Sequence, residues 1–298
     1  MTPRVKRPAK LRTPWPPTDA KTSQPVTSWD DWWSLGQHFK RGDVWDIIYY
    51  NCETYDPDEV NWYLRERFGS RQTSRDGLNY RFGRESGNTT PIVVYIPDDN
   101  WLPPGPHQAE AKQLILSVLR DPGAGQVKFK IGTFELRAGD LTLVAQAIAT
   151  GKITVIHRPS GGHMASYWSG FNRFVIPYYQ NASVNDKALI IHEAVHAAMD
   201  IRKMPQTMEQ AEAIAYIAQA MYLQQHGLNM GNSVVSPSFA VNPANFIGFT
   251  GIFSKASSIA ADIIAGNDVS DLDLILLAAS FRIAPTYRVE PAPVNDGI

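Results

Sequence analysis

The run ALIIHEAVHAAMD, residues 188–200, places two histidines and a glutamate in a mostly apolar stretch. His192 and His196 are four residues apart, and a helix that turns by about 100° per residue brings such positions onto one face. Glu193 directly follows the first histidine and points partly away from it. Two imidazoles and a carboxylate are costly to bury in a core without partners. The run therefore predicts a helix whose polar groups converge on a shared ligand.

The spacing of His192, Glu193 and His196 is that of an H-E-x-x-H motif. In this motif both imidazoles bind one zinc ion, and the glutamate acts as a general base without being a ligand. Zinc lowers the pKa of its water to about 7, and Glu193 would take a proton as that water attacks a carbonyl. The alternative is a core helix with two hydrogen-bonded histidines. Small neighbours that permit close helix packing favour the metal interpretation: Ala194, Ala197 and Ala198.

A catalytic zinc ion needs a third protein ligand and an open fourth position. The longer H-E-x-x-H-x-x-G-x-x-H motif is absent, because Met199 and Arg202 occupy its glycine and histidine positions. The next predicted helix, from Thr207, carries Glu209 and Glu212 on one face, which Tyr216 and Gln219 continue. We predict Glu212 as the ligand, because alanines flank it, and Glu209 as the second choice or as a hydrogen-bonding partner. For either residue, a solvated glutamate favoured by the helix dipole is the alternative.

Further residues are predicted to support this site. Asp200 lies four residues after His196 on the same face, where it could accept the proton on the second nitrogen of a ligand histidine. A negative charge near a helix C-terminus is unfavourable with the helix dipole. Its presence there favours a specific role for Asp200 over that of an ordinary residue at a helix end. Three residues near the motif in sequence are candidates to contact substrate or stabilise an oxyanion, with core or loop positions as the alternative: Tyr216, Tyr167 and His163.

The motif, with Glu212 on the next helix, resembles the gluzincin class of zinc metallopeptidases. The resemblance covers residues 150–226 and implies a helix pair that holds Zn²⁺, an edge strand that aligns substrate, and a peptide or protein as that substrate. FNRFVIPYY, residues 171–179, lies where the edge strand is expected, and Pro177 favours an edge position. The same helix pair also resembles bacterial metallopeptidase-like proteins of undefined substrate.

Short strand-like runs alternate with capped helices along the chain, as in PIVVYIP at 91–97 and KITVIHR at 152–158. We predict an α+β fold, in which a small mixed or antiparallel sheet with an edge strand packs on a helical zinc-binding core. Two further helices, near 251–265 and 270–284, complete the C-terminal part.

The predicted regions are an arm (1–28), an N-terminal α+β region (29–150), a zincin-like catalytic domain (151–290) and a tail (291–298). The arm is rich in proline and basic residues, which predicts disorder and makes it a candidate to dock an anionic partner. The absence of a Gly/Ser linker near residue 150 favours one continuous body.

Composition excludes several classes of protein. The formal net charge of −1 does not predict nucleic-acid binding, and a single cysteine, Cys52, excludes an intrachain disulfide. No apolar run approaches the roughly 18 residues that span a bilayer, so no membrane span is expected. The N-terminus lacks the apolar segment of a Sec signal peptide. We expect a cytoplasmic protein, or one exported by another route.

Two classes of function fit these features. The first is a zinc-dependent peptidase with Glu193 as the general base. The second is a non-catalytic zinc-containing interaction or regulatory module, including a delivered bacterial effector, in which residues 29–150 recognise a partner. The basic arm and the eight tryptophans suit the second class. Glu193 distinguishes the two, because a structural zinc site needs no general base.

Overall fold

The structure is a computed structural model. It describes residues 2–40, 44–75, 77–84, 90–98, 101, 103, 107–158, 165–177, 180–228 and 243–283. Helices are combined with small sheets of two or three strands, which confirms the predicted α+β class. The chain divides into two compact units, Met1–Pro104 with Pro159–Gly161, and Gly105–Arg158 with Gly162–Ile298.

The first unit packs helices around a two-stranded antiparallel sheet. Its elements are β1 (Thr22–Val26), α1 (Trp32–His38), α2 (Val44–Cys52), α3 (Pro57–Glu66) and β2 (Ile92–Ile96). Asp56 caps α3 by accepting a hydrogen bond from the N–H of Asp58, and Pro57 occupies the first helical position. Trp15 and Trp32 pack edge-on against Phe68 in its aromatic core.

The N-terminal segment, residues 2–28, packs on this unit, so the prediction of a disordered arm is wrong. Its last part forms β1, which pairs with β2. Lys6 forms a 2.7 Å salt bridge with Asp56, and the buried Arg12 donates its backbone N–H to the Tyr63 hydroxyl at 2.7 Å. The composition suggested disorder because the partners of these residues lie far away in sequence. Docking of an anionic partner by this segment stays a prediction.

The second unit carries the motif. Its elements before the motif are α4 (Gln108–Leu119), α5 (Pro122–Gly125), β3 (Phe129–Ile131), β4 (Phe134–Leu136), α6 (Asp140–Ala149), β5 (Thr154–His157), β6 (Ser166–Trp168) and β7 (Arg173–Ile176). Residues 107–150 therefore belong with the motif and not with the N-terminal region, to which the sequence assigned them. The physical reason is packing on the motif helix, including a 2.7 Å salt bridge between Arg202 and Asp140.

Helices α7 (Val184–Ile201), α8 (Met208–Gln225), α9 (Pro243–Ile264) and α10 (Asp271–Ile283) complete this unit. Ser183 and Thr207 begin α7 and α8 with capping boxes, in which the cap side chain and the third helical residue bond each other's backbone N–H groups. The expected C-terminal helices are present as α9 and α10, which pack on α8. The predicted tail, 291–298, lies outside the described residues. No described helix is long and apolar enough to cross a bilayer.

The three-stranded sheet beside α7 has the order β5-β7-β6, with β5 parallel and β6 antiparallel to β7. The FVIPYY run was predicted to be an edge strand, and this prediction is wrong, because β7 is the central strand. Pro177 follows the last paired residue, Ile176, so its missing N–H removes no bond from the ladder. Among the described residues, β6 is the edge strand next to α7.

Candidate metal centre

Helices α7 and α8 bring three of the predicted ligands together. The Nε2 atoms of His192 and His196 are 3.3 Å apart. The two carboxylate oxygens of Glu212 lie 3.4 Å from these nitrogens, Oε2 from His192 and Oε1 from His196. Among the described residues, this is the group of three His, Cys, Asp or Glu side chains whose ligand atoms lie within 4.8 Å of one another.

These distances fit a zinc ion. Nitrogen and oxygen ligands at 2.0–2.1 Å from a tetrahedral zinc are separated from each other by about 3.4 Å. The Nε2–Nε2 separation of 3.3 Å matches that value, and each nitrogen is 3.4 Å from one of the two oxygens of Glu212. Two imidazoles and one carboxylate are also a donor set that zinc accepts in catalytic sites.

The second nitrogen of His192 has its own partner. Nδ1 of His192 is 3.2 Å from Oε1 of Gln219, which lies seven residues after Glu212 on α8. An amide oxygen accepts the Nδ1 proton, which leaves the lone pair of Nε2 directed at His196 and Glu212. The ring of Tyr216 packs edge-on against the same imidazole, at 4.5 Å between ring centres. The sequence placed Gln219 on the Glu212 face but did not predict this bond.

Glu193 lies beside the three ligands and outside their group. Its Oε2 accepts a hydrogen bond from the backbone N–H of Tyr167 in β6, at 2.8 Å. Burial raises the pKa of the Glu193 carboxyl, and the neighbouring Glu212 acts in the same direction, against the opposing effect of the two histidines. A carboxyl with a raised pKa is suited to accept a proton and to return it.

Glu212 has the opposite tendency. Burial opposes its ionisation, but the attraction of His196 and the hydrogen bonds with both histidines outweigh burial and hold the pKa of Glu212 below its usual range. It is therefore an ionised carboxylate, as a metal ligand must be. The side chains of His196 and Glu212 are 16% and 14% exposed, against 5% for His192, so the open side of the group lies towards His196 and Glu212.

The remaining predicted residues are placed as follows. Glu209 is in the first turn of α8, outside the ligand group, so the geometry favours Glu212 as the third ligand. Asp200 is fully buried and accepts a hydrogen bond from the Tyr167 hydroxyl at 2.7 Å. Its predicted bond with a ligand histidine stays a prediction, as does an oxyanion role for Tyr216. His163 lies outside the described residues.

In comparisons with protein-family models, curated proteins and solved structures, nothing matches this chain. Function is therefore inferred from the chemistry of the site.

Proposed function

We propose that this chain is a zinc-dependent peptidase, in which His192, His196 and Glu212 hold the metal and Glu193 is the general base. The observation that carries this proposal is the convergence of three side chains: the Nε2 atoms of His192 and His196 are 3.3 Å apart, and each lies 3.4 Å from a different carboxylate oxygen of Glu212. A fourth ionisable group, Glu193, lies next to these three side chains without belonging to their group. A zinc site with a purely structural role needs no such neighbour.

The residues of the chain divide the chemistry between them. A bound zinc ion supplies a Lewis acid that polarises a carbonyl and makes water a better nucleophile. Because the Tyr167 N–H holds Oε2 of Glu193, the other oxygen, Oε1, is the one to take the proton of the attacking water. Burial raises the pKa of Glu193, which suits it to carry that proton and deliver it to the leaving amine. Glu212 stays ionised throughout.

The position of β6 supports a peptide as the substrate. An extended peptide can bind at the edge of a sheet, where it runs alongside the outermost strand. β6 is an edge strand among the described residues, and its Tyr167 touches Glu193 directly. A peptide bound along β6 would therefore pass close to the general base.

The first experiment measures metal content by elemental mass spectrometry, after chelator treatment and reconstitution with zinc at neutral pH. We expect about one zinc per chain in the wild type and a large loss in Glu212→Ala, since a catalytic site has three protein ligands. Glu209→Ala is the matched control, because it removes a glutamate from the same helix but leaves the three proposed ligand side chains intact. A wild-type protein that takes up no zinc would contradict the proposal.

The second experiment incubates the zinc-loaded protein with a mixed-sequence peptide library and identifies products by mass spectrometry. We expect cleavage by the wild type and none by Glu193→Gln, which keeps its zinc. A wild type that holds zinc but cleaves no peptide would instead indicate the non-catalytic interaction module.

A further inference from the structure

We propose that Tyr167 is a positioning residue, which fastens the edge strand β6 to helix α7 at two points and thereby fixes the general base. The inference rests on the proposed function for the role of Glu193, whereas the fastening itself depends only on the contacts of Tyr167.

The two points of attachment are two acids on one face of α7. The backbone N–H of Tyr167 donates to Oε2 of Glu193 at 2.8 Å, and its hydroxyl donates to Oδ2 of Asp200 at 2.7 Å. Glu193 and Asp200 are seven residues apart, which is nearly two turns and about 10 Å along a helix. One residue of β6 therefore spans this interval along α7, with its main chain at one end and its phenol at the other.

The attachment at Asp200 is a strong one. Asp200 is fully buried, and a buried carboxylate is costly unless donors reach it. The Tyr167 hydroxyl also lies 3.2 Å from Oδ1 of Asn172, but a hydroxyl has one proton to donate, and the shorter bond, to Asp200, takes it. The Tyr167 ring also packs against Phe174, its cross-strand neighbour in β7.

The strand β6 is short, and among the described residues it pairs with β7 on one side only. It is only three residues long, Ser166–Trp168, and a turn at Ser169–Phe171 connects it to β7. Asn172 closes this turn in the left-handed conformation, with a φ of 48°, and donates its N–H to the carbonyl of Ser169. Since a strand of this length makes few ladder bonds, the two bonds of Tyr167 to α7 add to the pairing with β7 in placing it.

The consequence for the site is alignment. The bond to Oε2 restrains the rotation of Glu193, so the direction of Oε1 is set by the same residue that sets the position of β6. A substrate that contacts β6 would therefore be aligned on the base through Tyr167. Loss of such alignment costs up to about 100-fold in rate even where every reacting group is present.

The test compares Tyr167→Phe with the matched control Tyr222→Phe. Both substitutions remove one hydroxyl from the second unit, but the buried Tyr222 hydroxyl has no hydrogen-bond partner among the described residues. Three quantities are measured: zinc affinity by competition with a chromophoric chelator, amide hydrogen exchange at residue 167, and kcat and KM on a peptide that the wild type cleaves.

In Tyr167→Phe we expect exchange at residue 167 to accelerate about fivefold or more, because β6 loses its bond to Asp200 and the remaining bond from the amide to Glu193 opens more often. We expect kcat to fall by about 10- to 100-fold, with zinc affinity and KM little changed. Tyr222→Phe should leave all these quantities near the wild-type values. This pattern separates positioning from general support of the fold, which would weaken zinc binding as well.

Two results would overturn the inference: unchanged exchange and kcat in Tyr167→Phe, or a loss of zinc affinity parallel to the loss of kcat. A wild type that binds zinc but cleaves no peptide would overturn the proposed function instead. Exchange at residue 167 would then still decide whether Tyr167 fastens β6 to α7.

Discussion

The bond between Gln219 and His192 makes a quantitative prediction about metal affinity. Gln219→Met keeps the length of the side chain but removes the oxygen that lies 3.2 Å from Nδ1 of His192. A hydrogen bond between neutral groups contributes about 0.5–1.5 kcal/mol, and loss of the partner of a ligand histidine costs about 10- to 100-fold in metal affinity. A tenfold loss of affinity corresponds to about 1.4 kcal/mol, which is near the upper end of the first range and at the lower end of the second. We therefore expect the Kd for zinc to rise about tenfold.

The assay is competition with a chromophoric chelator at neutral pH, with Gln224→Met as the control. Gln224 lies on the same helix and donates its side-chain N–H to the carbonyl of Ser257, away from the ligands. Its substitution should lower the free energy of unfolding without changing the Kd for zinc. An unchanged Kd in Gln219→Met, or an equal rise in both variants, would refute the reasoning that Gln219 fixes the tautomer of His192.

Three further predictions concern the chemistry and the fold. Glu193→Gln should reduce kcat by about 10²- to 10⁴-fold, the usual contribution of a general base, and keep about one zinc per chain in elemental analysis. Zinc should dissociate in acid, because protons compete with the metal for the ligand nitrogens and oxygens, and a titration with a zinc indicator checks this. Arg12→Ala removes a buried guanidinium that lies 3.4 Å from Glu53, so limited proteolysis should cut the N-terminal segment faster, with zinc affinity unchanged. A metal content that falls with Glu193→Gln, zinc retained at pH 4, or an unchanged proteolysis rate would contradict the respective prediction.

The parts of the site that the sequence predicts are those that depend on helical geometry. The i,i+4 spacing places His192 and His196 on one face whatever surrounds the helix, and the alanines beside Glu212 indicate close packing of the second helix. The structure brings these three side chains together. The α+β class follows in the same way, because capping residues and short apolar runs are local signals.

The parts that the sequence misses depend on pairing between distant segments. The order of strands in a sheet has no local signature, so a proline at the end of β7 was interpreted as the mark of an edge strand. The bond from Tyr167 to Glu193 uses a backbone N–H, which almost every residue has. No side-chain pattern in the sequence therefore predicts it. The fixed position of residues 2–28 depends on acids and aromatics more than 40 positions later, such as Asp56 and Tyr63.

The proposed ligands are divided between α7 and α8, so the free energy of unfolding would depend on the concentration of free zinc. An ion held by His192, His196 and Glu212 crosslinks two helices, so its binding free energy adds to the free energy of unfolding. Above the Kd, each tenfold rise in free zinc adds about 1.4 kcal/mol. On the proposed function, zinc starvation would therefore lower the folded fraction of this protein as well as the proposed activity.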